Sequence, residues 1–251
     1  MLRVNDCWDR PNYPRASTYD PEWLLSLDMG PNPLWLLEDL LGDLEIAPGA
    51  RVLDLGSGLG ATSVFIAREL GAEVWATDLW VSEADAAKVM ADAGVEDRVH
   101  VVNADVRALP YDTDQFDAIV SVDAWEYFGT DDRTLPMLLP VLKSGGVIGI
   151  ATPSLRDEFA TYADCPAHVR ALAGWEAAAW HSPAWWRTQW ERTGLVDVSA
   201  CRAQETGWAD WLAWTRALDE RDPGSQREIL DMLEADRGEH LSFAMVTAVK
   251  R

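Results

Sequence analysis

The chain has 251 residues, 42 of them acidic and 21 basic, for a formal net charge of −21 at pH 7. A surface of that sign repels polyphosphates and anionic bilayers, which argues against a nucleic-acid or membrane partner. Hydrophobic residues at 48% and charged residues at 25% are ordinary globular values, not those of a disordered chain or a membrane span. The opening residues MLRVNDCWDR carry neither the apolar stretch nor the cleavage site of a leader, so a soluble, cytoplasmic protein is expected. Cys7, Cys165 and Cys201 are odd in number and far apart, which points to three reduced thiols rather than a disulfide framework or a zinc site.

In chain order, residues 1–47 are rich in Pro, Trp and Leu. Leu34, Trp35, Leu37, Leu40 and Leu41 recur at helical spacing up to the Pro48-Gly49 break, predicting a helical cap. From Arg51 the pattern becomes strand, turn, helix, strand: RVLDL, a glycine-rich turn, SVFIAREL, then EVWATDL. SEADAAKVMADAG follows as a helix, with Ser82 placed to cap its start and Gly94 its end. RVHVVNAD, FDAIVSVDA and GGVIGIATP read as strands, with TLPMLLPVL as the helix between the last two. Alternation of this kind predicts an α/β fold, a mostly parallel sheet with helices on both faces.

VDVSACRA and HLSFAMVTAVK read as further strands, the second expected to close the sheet at one edge. The expected organisation is therefore a cap over 1–47, a core over 48–152, a Trp-rich lid insertion over 153–192, and returning core strands over 193–251 with a helical insertion at 206–238. Eight of the 14 tryptophans fall between Trp175 and Trp214. Stripes such as Trp186 with Trp190, or Trp208 with Trp211, are more often core than binding surface, although a lid's inner face can serve both.

The sharpest signal is Asp54-Leu-Gly56-Ser-Gly58-Leu-Gly60, after a strand and before a helix. Glycines there let the backbone bend and approach a ligand with no Cβ in the way. Asp78 ends the next strand, 22 residues beyond Gly56, where a carboxylate can accept ribose hydroxyls. Asp105 and Asp123 end two more strands, so the carboxylates gather at the edge where open α/β sheets bind ligands.

The run VLDLGSGLGATSVFIAREL, with Asp78, Asp105 and FDAIVSVDA, resembles the class I S-adenosylmethionine-dependent methyltransferases over residues 48 to 152, and within them the small-molecule type. The resemblance implies a Rossmann-like sheet of seven strands whose last runs antiparallel, with S-adenosylmethionine as cofactor. It further implies that Gly56, Ser57, Gly58 and Gly60 line the methionine and ribose, and that Asp78 binds the ribose. Leu79 would pack on adenine, Asp105 would bond the adenine amino group beside Val106, and Asp123 would lie near the sulfonium. Asp54 would orient the turn or reach the cofactor's ammonium through water.

The acceptor side is less marked. His181, just before Ser182-Pro183, is a candidate general base because histidine titrates near neutral pH. Trp125, Glu126 and Tyr127 follow Asp123 in the loop where small-molecule relatives meet their acceptor, Trp185 belongs to an SPAWWR segment in the lid, and Tyr19 and the Asn32 region stand where related chains cover the cofactor. Asp131-Asp132 reads as a solvated turn, and no metal motif is present. The expected partner is a small-molecule methyl acceptor. Two other readings stay open: Gly56-x-Gly58-x-x-Ala61 also satisfies the dinucleotide fingerprint, allowing an NAD(P)-dependent oxidoreductase, and a catalytically silent adenosine-ligand-binding protein would keep the same turn.

Overall fold

A computed structural model describes Trp8 and residues 10–251. Cys7 and the opening residues read above lie outside this range. Helices α1 (Pro21–Ser26) and α2 (Pro33–Leu40) come first, each with proline in its first turn, where no N–H is missed. Asn32 caps α2, its Oδ1 accepting from the N–H groups of Leu34 at 3.0 Å and Trp35 at 3.1 Å. The core alternation then runs β1 (Arg51–Leu55), α3 (Ala61–Leu70), β2 (Glu73–Asp78), α4 (Glu83–Asp92), β3 (Val99–Asn103), β4 (Phe116–Val122), α5 (Thr134–Leu138) and β5 (Leu142–Leu155). It ends with α6 (Ala167–Ala173), α7 (Pro183–Arg192), β6 (Val196–Ala203), α8 (Gly207–Arg221), α9 (Arg227–Asp236) and β7 (Leu241–Lys250).

The seven strands form one sheet in the order β3-β2-β1-β4-β5-β7-β6. The first five run parallel, and β7 is antiparallel to both its neighbours. Because successive residues of a strand face opposite ways, each strand feeds two cores. Val52, Val74, Ala76 and Val120 meet α2 and α3 on one face, while Leu53, Leu55, Ile119 and Ile148 meet Trp125, Leu138, Trp186 and Trp190 on the other.

Strand β7 does not close the sheet. It lies between β5 and β6, and β6 is the edge. Residues 241–248 are buried on both faces, as Phe243 and Met245 on one side and Ala244, Val246 and Ala248 on the other require. A strand apolar on both faces belongs inside a sheet. β6, with Asp197 and Arg202 among half-exposed residues, suits an edge, where charge discourages pairing with another chain.

The helical segment before the core packs into it. Leu34, Leu37 and Leu40 of α2 are fully buried, each worth roughly 2 kcal/mol of burial, and Gly149 of β5 leaves the room that Leu40 and Leu44 occupy. The Trp-rich segments do the same. Trp186 and Trp190 of α7 are fully buried, with Trp190 edge-on to Trp125 at 5.7 Å. Trp214 of α8 meets Trp8 and Trp35 edge-on at 5.6 and 6.1 Å. Cys165 and Cys201 are free thiols. Among the described residues no helix is long and apolar enough to cross a membrane, and no group of three or more His, Cys, Asp or Glu is placed to hold a metal ion.

Candidate functional site

A cleft of about 690 Å³ opens at the carboxyl edge of the sheet. Its floor is the turn between β1 and α3. Gly56 and Gly58 have φ of +76° and +54°, a region that L side chains enter at a cost of about 1–2 kcal/mol. The N–H groups of Gly56 and Ser57 donate to the carbonyl of Thr77 at 2.8 and 3.2 Å, holding the turn against the end of β2. A Cβ on Gly56 would stand 2.3 Å from that of Ala124, and one on Gly58 would stand 2.8 Å from the sulfur of Met29. The first glycine lets the loop after β4 close in, and the second faces the segment before α2 across the cleft.

Asp78 ends β2 beside the glycine turn. One carboxylate oxygen accepts from Gly58 N–H at 2.9 Å, and the other accepts from the N–H groups of Trp80 at 2.7 Å and Val81 at 2.9 Å. One side chain thus ties the glycine turn to the loop after β2. Asn103, at the end of β3, braces the same loop by donating from Nδ2 to the carbonyls of Asp78, Leu79 and Val81. Leu79 and Val106 face the cleft with about half of Leu79 exposed. Asp105 lines it too, but its carboxylate is held by the guanidinium and N–H of Arg107, which push its pKa down to about 2.

Beneath the turn, Asp54 is fully buried and accepts from the hydroxyls of Thr62 at 2.7 Å and Ser63 at 2.6 Å, both on one oxygen. Its other oxygen is buried with no donor among the described residues. Burial pushes this carboxyl up to about 6 against the lowering effect of the two hydroxyls. Asp54 and Gly60 do not line the cleft. Gly60 caps α3 in a left-handed conformation against Met90.

At the other end of the cleft stands Asp123, at φ +53° just past β4. It is half-buried, and burial, then Glu126, Glu176 and Asp28, raise its carboxyl well above the usual range. Glu126 lies behind it, 4% exposed, accepting from the Thr152 hydroxyl at 2.8 Å, and burial with Glu176 as an added repulsion pushes it up to about 7. Tyr127 lines the cleft, edge-on to Trp80 at 4.8 Å, with Glu176 among the acids near its hydroxyl.

Carboxyls that bind protons more tightly when folded favour the native state below their ordinary pKa, and that support is lost as pH rises through the shifted value. Stability should therefore fall between about pH 4 and 7. Glu126→Gln, which keeps an acceptor for Thr152, is expected to be more stable than the parent at pH 8.5, by up to about 3.5 kcal/mol on a scale of ~1.4 kcal/mol per pKa unit, with little difference at pH 4.5. Denaturant melts at the two pH values measure this.

Several sequence expectations do not meet in the cleft. His181 lies off it: its Nδ1 is paired with Glu158 at 3.0 Å and its ring is stacked on Trp185 at 3.6 Å. Glu158 also accepts the N–H of Ser182, so this group fastens the start of α7. Neither His181 nor Trp185 borders the cleft. His181→Ala is expected to leave ligand affinity and turnover unchanged and to cost at most ~1 kcal/mol of stability, read by calorimetry and a thermal melt. Tyr19 is elsewhere too, stacked on Phe65 at 5.6 Å with its hydroxyl donating to Glu69. Trp125 is fully buried under the loop. Trp180, Trp186 and Trp190 fill core rather than wall, because rings next to an apolar sheet bury more surface there than in a cleft, while Trp175 is exposed; that segment comes nearest the site at Glu176.

The wall that sequence reading assigned to the lid is instead built by the strap of Met29, Gly30 and Pro31 and by the segment after β4, with Phe128, Arg133 and Met137. Trp80 was missed as well, though it directly follows the Asp78-Leu79 pair. The Asn32 region is at the site as expected, through Pro31 and Pro33, while Asn32 itself serves as a cap.

Comparison with known proteins agrees with this geometry. Residues 52–146 match the model of the methyltransferase domain family. Methyltransferase GfsG of Streptomyces halstedii is 32% identical over 130 residues, 50% of this chain and 47% of that protein. The sarcosine/dimethylglycine N-methyltransferase of Halorhodospira halochloris is 31% identical over 123 residues, 49% of this chain and 42% of that protein. The chain thus spans about half the length of the curated relatives it matches. Phosphoethanolamine N-methyltransferase 2 of Haemonchus contortus, solved with S-adenosyl-L-methionine, superposes with a TM-score of 0.72 at 18% identity, over 100% of this chain and 60% of that one. Residues 52–146 are thus similar to a methyltransferase domain, and the chain shares the fold of the solved methyltransferase it superposes on.

Proposed function

We propose that the protein transfers a methyl group from S-adenosylmethionine to a small organic acceptor bound in the same cleft. The observation that carries this reading is the pairing of Gly58 with Asp78: a backbone N–H with no side chain above it, fixed by a carboxylate at the end of the next strand. The residues fit the cofactor. Gly56, Ser57 and Gly58 offer bare backbone to its ribose and methionine portions, Asp78 faces the ribose, and Leu79 and Val106 present apolar surfaces to adenine.

When bound, the cofactor supplies a methyl carbon made electrophilic by its sulfonium. The chain's own work is to position and to exclude water. The strap at Met29–Pro31 covers the glycine turn, and Asp123 faces the acceptor end, its carboxyl raised above the usual range by burial and by the acids around it. The relatives that methylate small molecules support the acceptor class, and the net charge of −21 supports the absence of a nucleic-acid partner. Incubation with methyl-labelled cofactor and a pool of metabolites tests the reading. Label should pass to a low-mass product; label that stays on the cofactor with every pool contradicts it.

A further inference from the structure

We infer that the acceptor end of the cleft recognises a cationic amine, with the Asp123 carboxylate as its counter-ion; this rests on the reading of the cleft given above. Asp123 lines the cavity, yet neither of its side-chain oxygens accepts a hydrogen bond from any described residue. A half-buried carboxylate facing the cleft and left without a donor is costly unless a ligand brings one.

The charges around it make the choice of ligand. Glu126 stands behind Asp123 on the same loop, Glu176 approaches from the segment before α7, and Asp28 from the strap. Tyr127 is a further titratable neighbour among the described residues, its hydroxyl raised by burial and by these acids. The cleft's two arginines do not answer these acids: the guanidinium of Arg107 is bonded to Asp105, and that of Arg133 to Asp131. An anionic acceptor would meet four carboxyls and no free counter-charge, and a neutral one would leave Asp123 unpaired.

The walls suit the same ligand. Trp80 and Tyr127 are 67% and 51% exposed, unusual for large aromatics, and meet edge-on at the cleft, where ring faces attract an ammonium. Gly30 lets the carboxylate come close under the strap, since a Cβ there would stand 2.3 Å from Asp123 Oδ2.

The test is calorimetric titration of the full chain, saturated with S-adenosylhomocysteine, with choline and with its neutral carbon isostere 3,3-dimethylbutan-1-ol. The two differ in charge and hardly in shape. Choline should bind about tenfold more tightly or better. Asp123→Asn, whose asparagine tolerates the left-handed backbone, should remove most of that preference while leaving the affinity for S-adenosylhomocysteine intact. Equal binding of the two probes, tighter binding of the alcohol, no choline binding, or a preference that survives in the asparagine variant would overturn the inference and leave the cofactor reading standing. Absence of S-adenosylhomocysteine binding in the parent would remove both.

Discussion

A Gly58→Val variant is expected to bind S-adenosylhomocysteine at least about a hundredfold more weakly than the parent, a loss of ~2.7 kcal/mol or more, while remaining folded. Two costs add. Residue 58 sits at φ +54°, which a β-branched side chain resists more than any other type. Its Cβ would also stand 2.8 Å from the Met29 sulfur, so the added methyls must displace the strap or fill the space above the turn. Gly58→Ala carries the first cost in milder form and only part of the second, and its affinity should fall between the two. Calorimetry, with circular dichroism to establish folding, reads the series. Unchanged affinity in folded Gly58→Val would take this turn out of the binding site.

Asp78→Ala should be as damaging for ligand binding and worse for stability. The carboxylate gathers three N–H groups from two loops, and their loss leaves those donors to water or to nothing, at about 1–3 kcal/mol for each that stays buried. We expect a hundredfold or greater loss of S-adenosylhomocysteine affinity and a melting temperature lower by several degrees. Asp78→Asn keeps one acceptor oxygen and should retain more stability than affinity, because an amide nitrogen repels the N–H groups it would face. A variant that melts earlier but binds normally would assign Asp78 to the architecture of the loops and not to the ligand.

The glycine turn and the acids that line the cleft beside it were legible because they are written in local pattern. Glycines that need positive φ, followed by an acid at the end of the next strand, fall within 25 residues of chain, and the strand period places Asp78, Asp105 and Asp123 at one edge. The position of β7 was legible too but was misread: an apolar run on both faces with Asp197 and Arg202 on its partner marks which strand is interior. The acceptor half was not legible, because its members come together only through tertiary packing. Met29 and Gly30 reach the cleft from before the fold, and Glu176 from 50 residues after Glu126. His181 shows the reverse failure. A histidine before a helix looks available in sequence, and only the placement of Glu158 and Trp185 reveals what occupies it.

The density of tryptophan misled in the same way. Helical spacing at Trp186 and Trp190 is compatible with a lid face or a core face, and what decides is the apolar surface opposite. Leu53, Ile148, Ile150 and Val246 present that surface, so the rings are drawn under the sheet.

The central claim, that the bend at Gly58 and the carboxylate at 78 hold an adenosyl sulfonium compound, is tested most directly by calorimetric titration of the purified chain with S-adenosylhomocysteine, NAD and NADP side by side. Saturable 1:1 binding of S-adenosylhomocysteine, with neither dinucleotide competing for it, is the predicted result. Saturable binding of a dinucleotide with no response to S-adenosylhomocysteine would contradict it.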